Sequence, residues 1–300
     1  MKRRDLLAQG TVALGSLMLA GTFARAEEAE PCEDFVWNYE SLDPVATAER
    51  AYTLYADGSC MYASFRALVE GVGFIRREKD PREASHYDQF PYYMMFYGRG
   101  GVHDYGTLCG ILNGCAAAIS LFVRDRKDAA AMTRELFSWY ETAELPVFVP
   151  SQTKHGEIER SIAESPLCHI SVSHWLQESG AEVESPRRKE RCKRLVCDGV
   201  VKTVELLNLY FQSRQNNVVC AFAASAEPAA SCTACHSPQG DAKDCNTQMN
   251  CGICHEEVVQ ACDEKTHPAG GLTRGPRTGK DQLSFLSRTG ETISISELDL

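Results

Sequence analysis

Hydrophobic positions along most of the chain recur at helical rather than strand spacing. The clearest case is Arg191–Ser213, where apolar side chains return every three to five residues and mark one buried face. Similar composition with few helix breakers predicts four more helices: Ala46–Tyr55, Met61–Glu70, Leu108–Arg124 and Ala129–Thr142. Strand-like alternation is limited to Val147–Val149 and Ile170–Val172. The pattern predicts a mainly α fold, and the four glycines of Gly98–Gly106 predict a closely packed loop.

The character of the chain changes after Ala221. A linker of Ala, Ser and Pro residues, Ala223–Ser231, precedes a segment rich in cysteine and histidine that runs to about His267. This segment has few large apolar residues, so it needs a cofactor to supply its core. We therefore expect four parts: a signal peptide at 1–26, a helical cysteine-rich domain at 27–222, a small irregular cofactor segment at 223–270 and a tail at 271–300.

The first 26 residues have the layout of an export signal. Lys2-Arg3-Arg4 precedes an apolar stretch, Leu6–Gly21, and Ala24-Arg25-Ala26 forms a small-x-small cleavage site. The apolar stretch is short for a bilayer, so we favour a cleaved signal, with no transmembrane anchor left, over an uncleaved anchor. Arg3-Arg4-Asp5-Leu6-Leu7 resembles the twin-arginine signal, although Lys2 stands where Ser or Thr is usual, and it predicts export to the periplasm.

The net charge argues against a nucleic-acid partner. It is −10 for the whole chain, and loss of residues 1–26 removes four basic residues and Asp5, which gives −13. An acidic protein is poorly suited to bind a phosphate backbone. The one basic run, Arg187–Arg194, is interrupted by Glu190 and leads into the long helix. We predict a solvated helix start there rather than a binding patch.

Two complete Cys-x-x-Cys-His motifs lie in the cofactor segment, Cys232-Thr233-Ala234-Cys235-His236 and Cys251-Gly252-Ile253-Cys254-His255. This is the attachment motif of c-type haem, in which two thiols add to the porphyrin vinyl groups and the histidine becomes the proximal iron ligand. A zinc ribbon, disulfides or redox dithiols are alternatives, but they do not require a histidine after each pair. The motifs predict two haems c, with His236 and His255 as proximal ligands.

The cysteines of the helical region suggest a second redox centre. Cys60 follows Ser59 at a predicted helix start, and Cys109 opens another helix just after the glycine loop. The free backbone N–H groups of a helix start stabilise a thiolate, which suits a cluster ligand or a reactive thiol.

The pattern Cys60, Cys109-Gly110-x-x-x-Gly114, Cys168 and Cys192 resembles the C_GCAxxG_C_C family of redox proteins. The resemblance covers about Pro44 to Ser213, and the sequence departs from the motif at Ile111, where the family has Ala. Together with the haem motifs and the export signal, the chain resembles the split-Soret cytochromes c. That resemblance implies a homodimer with two bis-histidine haems per subunit and an iron–sulfur cluster.

The resemblance also implies roles for particular residues. The four family cysteines Cys60, Cys109, Cys168 and Cys192 are the expected ligands of a [2Fe-2S] cluster, and Cys115 and Cys197 are the substitutes if one of the four is not a ligand. Buried free thiols or disulfides are the alternative for this set. The candidates for distal haem ligands are His103, His174 and His267, with His169 set below them. Met249, between the two haem motifs, is a further residue of a type that binds haem iron.

These features predict a periplasmic electron-transfer protein with no catalytic residues of its own. The alternative is a reductase of a small substrate that uses an open haem iron, and a metal-sensing or structural module is a third class. Bis-histidine iron would favour the electron carrier, because neither axial position is then free for substrate. The sequence assigns no role to Cys32, Cys220, Cys245 and Cys262, and it does not identify redox partners.

Overall fold

A computed structural model describes residues 37–153, 155–216, 222, 230–240, 243, 245–249, 251, 284–286 and 292–294. The predicted signal peptide, the end of the second haem motif with His255, and His267 lie outside the described residues, as do Cys32, Cys220 and Cys262. The chain divides between residues 39 and 40 into two units. All the elements below belong to the second unit.

The first helix, α1 (Pro44–Lys79), is two helices joined at a break. Asp43 caps its start by accepting a hydrogen bond from the Ala46 N–H, and Pro44 occupies the first turn, where its missing N–H has no cost. At Ser59 the backbone takes φ 67° and ψ −161°, so that the helical ladder is interrupted. The second half therefore begins at Cys60.

The remaining helices of the domain follow α1 in the chain. They are α2 (Pro81–Gln89), a 3₁₀ helix (Tyr92–Gly98), α3 (Gly110–Phe122), α4 (Arg126–Thr142), α5 (Cys168–Ser179) and α6 (Pro186–Gln215). A short antiparallel pair, β1 (Glu144–Leu145) and β2 (Ser161–Ile162), lies between α4 and α5 in the chain. The mainly α class predicted from the sequence is confirmed.

The core forms where α1 packs against α6 and α3. Fully buried apolar side chains from all three helices meet there, including Leu68, Leu112, Ile119, Val200 and Leu207. Among the helices that the structure describes, we find none with an apolar stretch long enough to span a bilayer.

The two short stretches with strand-like alternation form no strands. Ile170–Val172 lies inside helix α5, and Val147–Val149 forms no strand. Each stretch has only three residues with β-branched residues at its two ends, which is too short a pattern to distinguish strand from helix, and tertiary packing decides the outcome.

The basic run is also different from the prediction. It does begin the long helix, since Ser185 caps α6 and Pro186 is its first residue. Arg191 and Arg194, however, are only 2% and 3% exposed. The end of the run is therefore buried rather than solvated, because one face of α6 turns into the core.

The cofactor segment and the tail contain only short elements in their described parts. Helix α7 (Ala230–His236) carries the first haem motif, and Cys245 donates its backbone N–H to the carbonyl of His236. In the tail, β3 (Ser284–Leu286) pairs antiparallel with β4 (Thr292–Ser294).

Candidate functional site

Three of the four family cysteines lie at the start of a helix. Cys60 follows the break in α1, Cys109 is the residue that caps α3, and Cys168 is the first residue of α5. Each thiol is therefore close to backbone N–H groups that have no partner within the helix. Sequence reasoning predicted this placement for Cys60 and Cys109 and missed it for Cys168.

Backbone hydrogen bonds join the segments that precede α3 and α5. Leu108 and Leu167 form an antiparallel bridge, in which the Cys109 N–H donates to Pro166 and the Cys168 N–H donates to Thr107. Because the two cysteines directly follow the bridged residues, the two helices start side by side. The bridge thus fixes Cys109 and Cys168 relative to each other.

The glycines of the Cys-Gly-x-x-x-Gly motif let α3 approach α1 closely. A Cβ atom on Gly110 would lie 2.4 Å from the sulfur of Cys60, and one on Gly114 would lie 2.2 Å from the hydroxyl of Ser64. Residues four apart share one face of a helix, so both glycines face the second half of α1. Their lack of a side chain brings Cys60 next to the start of α3.

Helix α6 supplies the fourth cysteine, Cys192, so that thiols from four helices come together. Burial raises the pKa of the Cys168 thiol, and the charges of Cys109, Cys192 and Cys60 raise it further. Burial also raises the pKa of the Cys60 thiol to about 12, with Cys109 and Cys192 contributing. The four thiols therefore interact electrostatically, as they must if they bind one cofactor.

The arrangement fits a cluster better than a single ion. Among the described residues, no group of three or more His, Cys, Asp or Glu side chains is tight enough to hold one metal ion. A two-iron cluster distributes its ligands over two irons, so only pairs of thiolates need to lie close together. All ten described cysteines are free thiols.

A buried arginine accompanies these cysteines. Arg191 donates through Nη2 to the carbonyl and hydroxyl oxygens of Ser171, at 3.2 and 2.8 Å, and its Nη1 lies 4.0 Å from the sulfur of Cys192. Its Nε–H is buried and has no acceptor among the described residues. An anionic cluster would supply both the missing acceptor and the missing charge. This is the observation by which the residues present fit an iron–sulfur group.

Tyr140 connects the arginine side of the site to Cys109. Its hydroxyl lies 3.4 Å from the sulfur of Cys109 and 2.8 Å from the hydroxyl of Ser171. The side chains of Tyr140, Cys109, Ser171 and Arg191 are all buried. A hydrogen bond to a ligand sulfur favours the charged form of that sulfur.

The two substitute cysteines are placed differently. Cys115 is buried between α3 and α6, 3.6 Å from the carbonyl of Gly199, and Cys109 is the cysteine whose charge acts on it. Cys197 contacts the carbonyls of Ala48 and Lys193 at 3.3 and 3.4 Å. Both thiols face the packed core between helices.

The first haem motif is presented by α7. Cys232, Cys235 and His236 share one face of this helix because they are three and four residues apart. Cys235 is exposed, and Cys232 and His236 are half-buried. This exposure suits thiols that must add to a porphyrin. Of the second motif, only Cys251 is described, and it is also half-buried.

The described distal candidates occupy different elements. His103 is exposed in a left-handed turn in which Gly100, Gly101, Val102, His103 and Asp104 all have positive φ. His174 lies on α5 with its Nδ1 3.3 Å from the carbonyl of Ile162. His169 is exposed with its Nδ1 2.9 Å from the carbonyl of Gly106, which would leave Nε2 free to bind a metal. Met249 is also exposed.

Sequence reasoning missed Arg191, Ser171 and Tyr140 as parts of the site. The one available signal was the position of Arg191 directly before Cys192, and the surrounding basic run obscured it. Ser171 and Tyr140 have no local signal, because only the tertiary fold brings them to the cysteines.

Comparisons with known proteins identify relatives of this chain. The family described as "Putative redox-active protein (C_GCAxxG_C_C)" matches residues 82–206. The Split-Soret cytochrome c of Desulfovibrio desulfuricans (strain ATCC 27774 / DSM 6949 / MB) is 36% identical over an alignment of 272 residues that covers 84% of this chain and 94% of the relative. The solved structure reporting a novel iron centre in the split-Soret cytochrome c from D. desulfuricans ATCC 27774 aligns with a TM-score of 0.64 and 36% identity, over 73% of this chain and 90% of that one.

Proposed function

This chain belongs to the split-Soret cytochrome c family, and from that premise we propose that it is a periplasmic electron-transfer protein. It carries two haems c and a [2Fe-2S] cluster in each chain. The observation that carries the proposal is that four cysteines from four helices lie within electrostatic range of one another, with a buried arginine beside Cys192, in a chain with two complete haem motifs.

Each haem motif has a defined task in this proposal. Cys232 and Cys235 hold one porphyrin by thioether bonds, and Cys251 and Cys254 hold the other, while His236 and His255 bind the irons on the proximal side. The haems supply one-electron chemistry when bound. His103, His174 and His267 are the candidates for the distal positions, and occupation of both axial positions leaves outer-sphere electron transfer as the activity.

The cysteine site has the second task. Cys60, Cys109, Cys168 and Cys192 hold the cluster, and the helix starts beneath three of them favour thiolates. Burial excludes water from Cys60 and Cys109, whereas Cys168 and Cys192 are half-buried. The edge formed by Cys168 and Cys192 is therefore the side by which electrons enter or leave.

Two features of the chain support export by the twin-arginine route. The N-terminal segment has the layout of such a signal, and this route carries proteins that are already folded. A cluster buried inside a helical domain has to be inserted before export, whereas covalent haem attachment does not require prior folding. The proposed cluster and the proposed route thus explain each other.

We further propose a homodimer in which the segment Tyr93–Tyr105 contacts the second copy. Tyr93, Met94 and Tyr105 are 77%, 54% and 84% exposed, a concentration of apolar surface that is typical of a protein contact. His103 is exposed in the same segment. We propose that it reaches an iron of the partner chain, so that the dimer completes the haem sites.

The composition of the mature protein tests the proposed cofactors. We expect the mass of two covalent haems per chain, with non-haem iron and acid-labile sulfide in equal amounts. Reduced protein should not bind carbon monoxide readily, because the irons have no open position. A chain with fewer than two haems, or with no labile sulfide, would contradict the cofactor assignment, and rapid carbon monoxide binding would favour a reductase.

Subunit dissociation tests the dimer. On dilution or mild dissociation, low-spin haem iron should convert to high-spin as distal ligands from the partner are lost. Replacement of His103 by Ala should produce the same spectral change without dilution. A monomer that keeps the full low-spin spectrum would rule out ligation across the interface.

A further inference from the structure

Two buried arginines on α6 lie one helical turn apart and differ in their partners. The Nε–H of Arg194 donates to Glu190 at 2.8 Å, and its Nη2 reaches Thr153 and the carbonyls of His155 and Gly156 at 2.8 to 3.1 Å. Arg191 has no carboxylate within 4.0 Å among the described residues. A guanidinium does not lose its proton in proteins, so Arg191 is a buried cation whose counter-charge is not a neighbouring carboxylate.

Asp198 is an acidic residue that acts on Arg191 from a longer distance, and its carboxylate already accepts two hydrogen bonds. Its two carboxylate oxygens accept the N–H groups of Val147 and Phe148 at 3.0 and 2.9 Å. Burial raises the pKa of Asp198 to about 6, so its negative charge is itself disfavoured. Asp198 therefore holds the segment after β1 and acts on Arg191 only from a distance beyond that of an ion pair.

The groups close to Arg191 are the cysteines. Its Nη1 lies 4.0 Å from the sulfur of Cys192, the charges of Cys192 and Cys109 both act on it, and its Nε–H lacks an acceptor. In the described part of the chain, the thiol of Cys192 is therefore the nearest group that can supply negative charge to this guanidinium, alone or as part of the cofactor that it would hold.

A chain of hydrogen bonds extends the effect of Arg191 to Cys109. The arginine donates to the hydroxyl of Ser171, which leaves the Ser171 proton free to donate to the oxygen of Tyr140. The Tyr140 proton then donates to the sulfur of Cys109. Each hydroxyl gives one hydrogen bond and accepts one, so every donor in the chain points toward the sulfur.

Resting on the proposed iron–sulfur centre, we infer that Arg191 is the positioning residue that sets its reduction potential. It acts on Cys192 directly and on Cys109 through Ser171 and Tyr140. Reduction adds one electron and makes the centre more negative, with no bond formed or broken. A fixed buried cation and a hydrogen bond to a ligand sulfur stabilise the reduced form more than the oxidised form, so both raise the potential.

The test measures the potential of the centre in the intact dihaem protein by titration with redox mediators, followed by electron paramagnetic resonance. Arg191→Met removes the charge and keeps an apolar chain of similar length. We expect at least a tenfold fall in the reduced-to-oxidised ratio at a fixed ambient potential, which for a one-electron couple is about 59 mV. Tyr140→Phe removes only the donor to Cys109 and should give a smaller shift in the same direction.

The matched control is Arg194→Met, which removes an arginine that is equally buried and lies on the same helix. It breaks the pair with Glu190 and should reduce stability, yet it should leave the potential of the centre unchanged. Equal shifts in Arg191→Met and Arg194→Met would overturn the inference, and so would an unchanged potential in Arg191→Met.

If Arg191→Met loses the cluster, its potential cannot be measured. Arg191→Lys, which keeps the positive charge, then tests the inference. Retention of iron in the lysine variant supports the inference, and loss in both variants overturns it. A parent protein without acid-labile sulfide would instead refute the proposed iron–sulfur centre. That result is distinct from a parent that contains the centre but whose potential does not depend on Arg191.

Discussion

In the helical domain four of the six described cysteines are buried, whereas the described cysteines of the cofactor segment are half-buried or exposed. The helical site is lined by packed helices, close-contact glycines and a buried arginine before any cofactor is added. The haem motif on α7 instead offers its thiols to solvent. The difference indicates that protein packing builds the first site and the haem itself builds the second.

The largest effect that would test this contrast is loss of a haem. Replacement of both Cys232 and Cys235 by Ser should remove one covalent haem and make the segment after residue 222 sensitive to protease, because the haem supplies its apolar core. The cluster in the helical domain should be retained. Protein mass, iron analysis and limited proteolysis measure these outcomes.

The control for the haem variant is Cys245→Ser in the same segment. Cys245 lies outside both haem motifs, so this variant should keep two haems and the protease resistance of the parent. Loss of the cluster in the double variant would contradict the independence of the two sites.

Loss of the cluster is the second effect. Cys109→Ser and Cys168→Ser should each abolish non-haem iron and acid-labile sulfide while both haems stay attached. Cys197→Ser is the matched control, because Cys197 is buried against the carbonyls of Ala48 and Lys193. Iron retained in both ligand variants, or lost in the control alone, would show that the wrong cysteines are assigned.

Some of this site could be predicted from the sequence, because its signals are local. Helical periodicity located α1, α3, α4 and α6, and a cysteine next to a glycine loop indicated the helix start at Cys109. The grouping of Cys60, Cys109, Cys168 and Cys192 came from resemblance to a family and not from periodicity. The structure then brought these four cysteines together.

The rest of the site depends on contacts between distant residues. The helix start at Cys168 is fixed by the bridge between Leu108 and Leu167, which are 59 residues apart in the sequence. Arg191 resembled part of a solvated basic run until the fold buried it. A hydropathy pattern reports which residue types recur along a chain, and it does not report which buried cation meets which thiol.

The third effect comes from blocking the close contact between α1 and α3. Gly110→Ala would place a methyl group 2.4 Å from the sulfur of Cys60 and 2.5 Å from the carbonyl of Gly98, so α1 and α3 would have to separate. Overpacking of this kind costs about 1–3 kcal/mol of unfolding free energy, and cluster content should fall with it. Urea unfolding and iron analysis measure both.

Gly156→Ala is the control for the packing variant, because an added Cβ there meets nothing within 4 Å. It should leave stability and iron content close to those of the parent. A stable Gly110→Ala protein with full iron would mean that close packing of α1 on α3 does not form the site.

The last effect concerns the stability of the helical domain itself, which should depend on pH through Glu141. This side chain on α4 is buried, and burial raises its pKa to about 7 from its ordinary value of 4.5. Between these pH values the folded state binds more protons than the unfolded state, so the unfolding free energy falls as the pH rises through this window. At 1.36 kcal/mol per pKa unit, the loss of unfolding free energy reaches up to about 3 kcal/mol.

Glu141→Gln removes this ionisation. In urea unfolding, this variant should therefore be more stable than the parent at pH 8 but not at pH 4.5. Other buried carboxyls such as Asp198 titrate in both proteins and cancel in the difference. If the unfolding free energies of the two proteins differ by the same amount at every pH from 4.5 to 8, the ionisation of Glu141 costs no free energy. Burial of this carboxyl would then not destabilise the helical domain.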